Sequence, residues 1–211
     1  MDQPDKTLFG GDSMDKEVTQ DFPTISEGYY IGVMGRSYKS ESKNGYKSKD
    51  FEVLLLKQSV DPNAPVFQLL DYKEEGGKLV LSLRKNKQGE LITDSVVYPI
   101  KFFDIRDTQS QKAKAFFTSQ RRMFARAFGA INEENGVIDW GLIQQQVGQV
   151  VSFNLVKNTR NPQYVNLDFE TFGIHTASFA TQDSIKNIYM TLDALQKPKD
   201  GTSLLPEEPP F

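Results

Sequence analysis

Asp50-Phe51-Glu52-Val53-Leu54-Leu55-Leu56 alternates polar and apolar residues at its start and is unbroken apolar at its end. Successive strand side chains point to opposite faces, so this is the pattern of a strand running into a core. Asp61-Pro62-Asn63-Ala64-Pro65 breaks it. Upstream, Glu27-Gly28-Tyr29-Tyr30-Ile31-Gly32-Val33 reads as a first strand, aromatic and β-branched after a glycine. Between the two, residues 37–49 carry Lys39, Lys43, Lys47 and Lys49 around Asn44-Gly45. Asn-Gly tolerates positive φ at both central positions of a tight turn, so this stretch is expected to be a lysine-rich loop or hairpin tip.

Downstream, short strands are expected over residues 66–72, 78–84 and 96–103, with turn chemistry at Gly76-Gly77 and Asn86 to Gly89 between them. Repeated short strands with turns point to a small β-barrel or sandwich rather than βαβ units. Over residues 110–128, Ala113, Phe116/Phe117, Met123/Phe124 and Ala127/Phe128 recur at helical spacing, and Gly129 is placed to cap the C-terminus. Asp139 is a candidate N-cap for a short helix ending at Val147-Gly148. Residues 149–156 and 164–169 alternate as a final hairpin. Ile185, Ile188, Tyr189, Leu192 and Leu195 define one face of a last helix. The class is mainly β with inserted helices (α+β). The expected division is a flexible acidic segment over 1–22, a folded body over 23–173, a helical segment over 174–196 and an acidic tail over 197–211.

Composition removes much catalytic chemistry. The chain has no cysteine and one histidine, His175, which excludes disulfides and thiolate chemistry and most zinc and triad sites. No cofactor is expected. No apolar run approaches the ~20 residues of a membrane span, and the first residues lack the basic and apolar regions of a signal peptide, so a cytoplasmic protein without membrane contact is expected. The net charge is −3, but six acids against two lysines sit in the first 21 residues and four against two in the last 19, leaving a basic centre. Basic bodies between acidic ends suit an anionic ligand with which the ends compete.

The cations form three groups: Arg36, Lys39, Lys43, Lys47 and Lys49; Arg84, Lys85 and Lys87; and, on the long helix, Lys112, Lys114, Arg121, Arg122 and Arg126, with no acid between the last five. Single-stranded nucleic acid needs cations along a backbone and rings on which bases stack, about 1–3 kcal/mol per base. Of the candidate rings, Tyr30, Tyr38, Tyr46 and Tyr72 are preferred as exposed and the helical phenylalanines as core. Gly28 to Gly35 lacks a phosphate-loop Gly-Lys-Ser/Thr. The acid pairs Asp104/Asp107 and Glu133/Glu134 leave a metal-dependent nuclease as a weaker reading.

The last six residues, Pro206-Glu207-Glu208-Pro209-Pro210-Phe211, place a ring and the terminal carboxylate behind two acids on a proline-stiffened tether. This layout resembles the acidic tail tip of bacterial and phage single-stranded DNA-binding proteins. The order of Gly-Tyr-Tyr strand, lysine/Asn-Gly turn, Phe-Glu-Val-Leu strand, basic helix ending Ala127-Phe128-Gly129, short helix ending Val147-Gly148 and hairpin closing on Tyr164-Val165-Asn166 looks like the phage-encoded OB-fold members over residues 23–173. The resemblance implies non-catalytic, sequence-tolerant single-stranded DNA binding in replication or recombination. OB-folds use the faces of the second and third strands and adjoining loops, which points to Tyr38, Lys39, Lys43, Tyr46, Lys47, Lys49 and Phe51. It also implies that Glu207, Glu208, Pro210 and Phe211 recruit partner proteins. Self-association is left open. The rival reading is a protein-interaction or assembly module with incidental basic patches.

Overall fold

The computed structural model describes residues 25–41, 45–59, 67–106, 108–159, 161–162 and 164–196. The strands are β1 (Gly28–Glu41), β2 (Lys47–Ser59), β3 (Phe67–Gln68), β4 (Leu70–Glu75), β5 (Lys78–Leu83), β6 (Val97–Phe103), β7 (Gln149–Lys157) and β8 (Val165–Ala180). The helices are α1 (Gln111–Ala127), α2 (Trp140–Gln144) and α3 (Gln182–Gln196). Among the described residues the chain is mainly β with three helices, an α+β arrangement.

One mixed sheet runs β3-β2-β1-β7-β8-β5-β4, and β6 pairs with the first half of the β2 edge that β3 uses at its far end. The β5–β8 pair is parallel. The two ends of the path, β3 and β4, are separated in the chain by Leu69 alone, so the sheet must curl back on itself. They are not paired with each other, so the expected closed barrel is not formed and the sheet stays open.

The apolar run of β2 has a simple origin: both of its faces are covered. Phe51, Val53 and Leu55 join Tyr30, Met34, Phe153 and Leu155 under Phe124 of α1, the Phe128 that caps it, and Ile143 of α2. Leu54 and Leu56 point the other way, to Val33, Leu70, Leu81, Val150 and the face of α3 formed by Ile185, Ile188, Tyr189 and Leu192. The α3 helix approaches β1 closely at Gly35, where a Cβ would overlap the Tyr189 hydroxyl. Because β8 continues to Ala180 and α3 completes a core, the expected boundary at 173/174 falls inside a strand.

The α1 limits follow from local chemistry. Ser110 accepts from the Ala113 N–H at the N-terminus. At the other end, Ala130 N–H reaches the Ala125 carbonyl and Gly129 N–H the Arg126 carbonyl, with Gly129 at φ +62°, a Schellman termination. Only the second half of α1 packs: Phe124 is fully buried, whereas Phe116 is 57% exposed and rests edge-on against Phe117. The expectation that all the helical phenylalanines are core fails at Phe116. Among the described residues no helix is long and apolar enough to cross a membrane.

Candidate nucleic-acid interface

The lysine-rich stretch is mostly strand. β1 and β2 pair as far as Glu41↔Lys47, with Lys39↔Lys49 and Tyr38↔Asp50 further in. Cross-strand partners point to the same face, so Lys39, Glu41, Lys47 and Lys49 share one face and Tyr38, Ser40, Ser48, Asp50 and Glu52 the other.

The first face opens into a cleft of about 580 Å³ lined by Lys39, Ser40, Glu41, Lys47, Ser48, Lys49, Phe102, Asp104, Arg121 and Trp140. Asp139 caps α2 by accepting from the Leu142 N–H at 3.0 Å, which sets Trp140 at the start of the helix. Its ring stacks on Phe51 at 5.9 Å between centroids and meets Phe102 at 5.6 Å. Lys49 Nζ lies 5.1 Å from the Trp140 ring centre. Arg121 reaches in from α1, its Nη2 donating to the Phe103 carbonyl and its buried Nε without a hydrogen-bond partner.

None of Lys39, Lys47, Lys49 and Arg121 makes an ion pair among the described residues. Several cations elsewhere are matched, as in Lys101–Asp50, Arg126–Glu133 and Lys157–Glu27. Burial and the neighbouring Lys39 charge push the Lys49 ammonium below its ordinary pKa. Burial likewise lowers that of Arg121, with Asp104 opposing. A cleft that makes its own cations harder to charge favours an anionic occupant. Beside it, Arg106 lies 3.7 Å over the exposed Tyr46 ring and donates to the Gly45 carbonyl.

The second face is closed on itself. Asp50, fully buried, accepts from Ser40, from Ser48 at 2.5 Å and from Lys101 at 2.9 Å. Glu52 accepts from Tyr38 Oη and from Arg36 Nε, both at 2.9 Å. The other end of Arg36 donates to Asp193 of α3, and its guanidinium sits 4.4 Å over the Tyr189 ring. Burial works against the Arg36 charge, but Asp193 and Glu52 outweigh it and raise its pKa. Burial first, and then Glu52, pushes the Tyr38 hydroxyl up to about 12.

Several expected site residues therefore lie elsewhere. Tyr30 and Phe51 are each 1% exposed, and no base can reach either ring. Tyr30 donates to the Ser26 carbonyl at 2.8 Å, so a partner four residues away satisfies the hydroxyl that was expected to keep it at the surface. Arg36 and Tyr38 are engaged by Glu52 on the face away from the cleft. Arg126 is held by both oxygens of Glu133, and Arg122 lies against Gly136, which binds both to the turn after α1. Tyr72 sits under Lys57, and Arg84 pairs with Asp71 at 3.8 Å, at the β4–β5 end of the sheet. Lys85 and Lys87 are exposed just beyond β5. Lys43 and the tail residues Glu207, Glu208, Pro210 and Phe211 lie outside the described residues.

The sequence reading missed Trp140 and Arg106; it counted Phe102 among the candidate rings without preferring it, and weighed Asp104 only in an acid pair with Asp107. Trp140 left one usable signal: it is the only tryptophan in the chain, and it directly follows a helix cap. No family model matches the chain, and no curated protein matches it.

Proposed function

We propose that the protein binds single-stranded nucleic acid, with DNA in replication or recombination as the leading case, through the cleft between the β1–β2 hairpin, α1 and α2. The observation that carries this reading is the meeting of four cations that make no ion pair among the described residues, drawn from two distant stretches of sequence, beside the half-buried Trp140 ring, which packs on the buried Phe102. Such a surface suits a phosphate backbone with sequence-tolerant stacking. An OB-type body of the phage single-stranded DNA-binding kind is supported by the curled sheet, by β5–β8 pairing in parallel, and by the placement of the cleft on the β1–β2 hairpin. The binding is proposed to be non-catalytic, with the tail ending at Phe211 recruiting partner proteins.

Titration with fluorescent oligothymidine over a range of salt tests the cleft. Affinity for the single strand is expected to exceed that for duplex and to fall log-linearly with salt. A protein that ignores the probe at low salt would instead be an interaction module. Deleting Phe211 is expected to leave probe binding unchanged and to reduce recovery of replication or recombination proteins in a pull-down. Equal recovery with and without Phe211 removes the recruitment role.

A further inference from the structure

We infer that Arg121, together with Lys39 and Lys49, forms a subsite for a single phosphate group in the wall of the cleft. The inference rests on the strand-binding reading for its ligand and on independent geometry for its location. Lys39 and Lys49 are direct cross-strand partners, an arrangement of like charges that destabilises a ladder unless something is placed between them. Arg121 lines the same cleft and is the only cation there contributed by α1. Its Nη2 is anchored on the Phe103 carbonyl, which fixes the plane of the guanidinium, while Nε has no partner. Arginine offers phosphate a planar fork of N–H donors, and one already held by a backbone carbonyl loses less freedom on binding. Among the described residues Asp104 is the only carboxylate that acts on Arg121, and it makes no ion pair with it. The guanidinium is thus held in place without being neutralised. Arg122 and Arg126 on the same helix differ on this point, since one lies over Gly136 and the other is paired with Glu133.

Trp140 supplies a local reporter, because the chain's only tryptophan lines this cleft. The experiment compares the intact protein with Arg121→Gln, which can still donate to the Phe103 carbonyl, with Arg121→Lys, and with Arg122→Gln as control. Each is titrated with oligothymidine and, separately, with inorganic phosphate at low salt, following Trp140 emission and the salt slope. Arg121→Gln is expected to flatten the log–log slope for the oligonucleotide by about 0.7, the effect of one lost contact on a single strand. Arg121→Lys is expected to keep the slope with weaker binding, and Arg122→Gln to match the intact protein. An emission change with inorganic phosphate that Arg121→Gln abolishes assigns a free phosphate group to the subsite as well; a response to the oligonucleotide alone assigns a phosphodiester. An unchanged slope in Arg121→Gln, with the intact protein still binding the oligonucleotide and thermal midpoints equal, overturns the subsite and leaves the strand-binding reading standing. Failure of every protein to bind the oligonucleotide, with the inorganic phosphate response present and lost in Arg121→Gln, overturns the strand reading and keeps the subsite.

Discussion

On one face of the β1–β2 ribbon Lys39, Lys47 and Lys49 stand beside one carboxylate among the described residues, Glu41, and none of the three lysines makes an ion pair among those residues. On the other face Asp50 and Glu52 are almost wholly buried, yet Ser40, Ser48, Lys101, Tyr38 and Arg36 satisfy them within 3 Å. Strands of similar composition thus build an open electrostatic surface on one side and a closed hydrogen-bonded seam on the other. Burial separates the two. Carboxylates taken out of water must find donors inside the protein, whereas half-exposed ammonium groups keep their hydration and stay available to a ligand. The seam also ties the hairpin to α3 through Arg36 and Asp193, so it serves the fold, while the open face is the one proposed to bind.

The contrast is most severely tested at Phe51, which sits on the cleft side of β2 but beneath the surface. Phe51→Ala is expected to cost about 3–5 kcal/mol in urea unfolding, as for a buried ring. A stable variant with lost oligonucleotide binding would return Phe51 to the binding surface. Next in size, Glu52→Ala removes the acceptor shared by Tyr38 and Arg36. It is expected to cost about 1–3 kcal/mol while leaving oligonucleotide affinity unchanged at fixed salt. An equal loss of binding would mean that the two faces are coupled. Replacing Lys39 and Lys49 together by Ala should do the reverse, flattening the salt slope by about 0.7 per lost contact and leaving stability unchanged or slightly raised by up to about 1 kcal/mol, since a like-charged cross-strand pair is gone. A marked fall in melting temperature would contradict this.

Alkali is expected to act on the two faces with opposite sign, and more weakly. The folded state holds the Tyr38 proton more tightly than the unfolded chain, so the stability it contributes is complete below pH 10 and is lost as pH rises from 10 to about 12. The buried Tyr98 behaves likewise, with burial again the main cause. Lys49 is shifted downward, so the cost of keeping it charged at neutral pH is relieved as pH rises toward 10.5. Melting midpoints from pH 7 to 12 are expected to fall above pH 10, and by less in Tyr38→Phe. Oligonucleotide affinity at fixed salt is expected to weaken on approaching pH 10.5 and to be less pH-dependent in Lys49→Ala. Superimposable midpoint curves for Tyr38→Phe and the intact protein would remove Tyr38 from the seam's pH response.

What could be read locally was read well. Ser110 and Gly129 bracket α1, Asp139 caps α2, and the face of α3 follows its apolar spacing, because capping and periodicity act over three or four residues. The continuation of β8 beyond residue 169 escaped detection: its ladder with β7 is interrupted by register shifts, and the extra residues between pairs blur a period of two. Periodicity also fixes where a side chain points around a helix axis, but not whether a neighbour waits there, which is why Phe116 and Phe124 share a pattern and differ in burial. Tyr30 and Phe51 were placed on the wrong side of the same ambiguity.

By itself the sequence determined a mainly β chain with a basic centre, acidic ends, a lysine-rich hairpin and almost none of the usual nucleophilic or metal-binding side chains. Only the tertiary structure decided which cations stay free. Arg126 is neutralised by a carboxylate seven residues on, Arg36 by one on α3, and Lys101 by one on β2, while Arg121 is carried to Lys39, Lys49 and Trp140 from other parts of the chain. The physical reason is that charge pairing depends on distances of about 4 Å in space, and folding sets those distances between residues far apart in sequence.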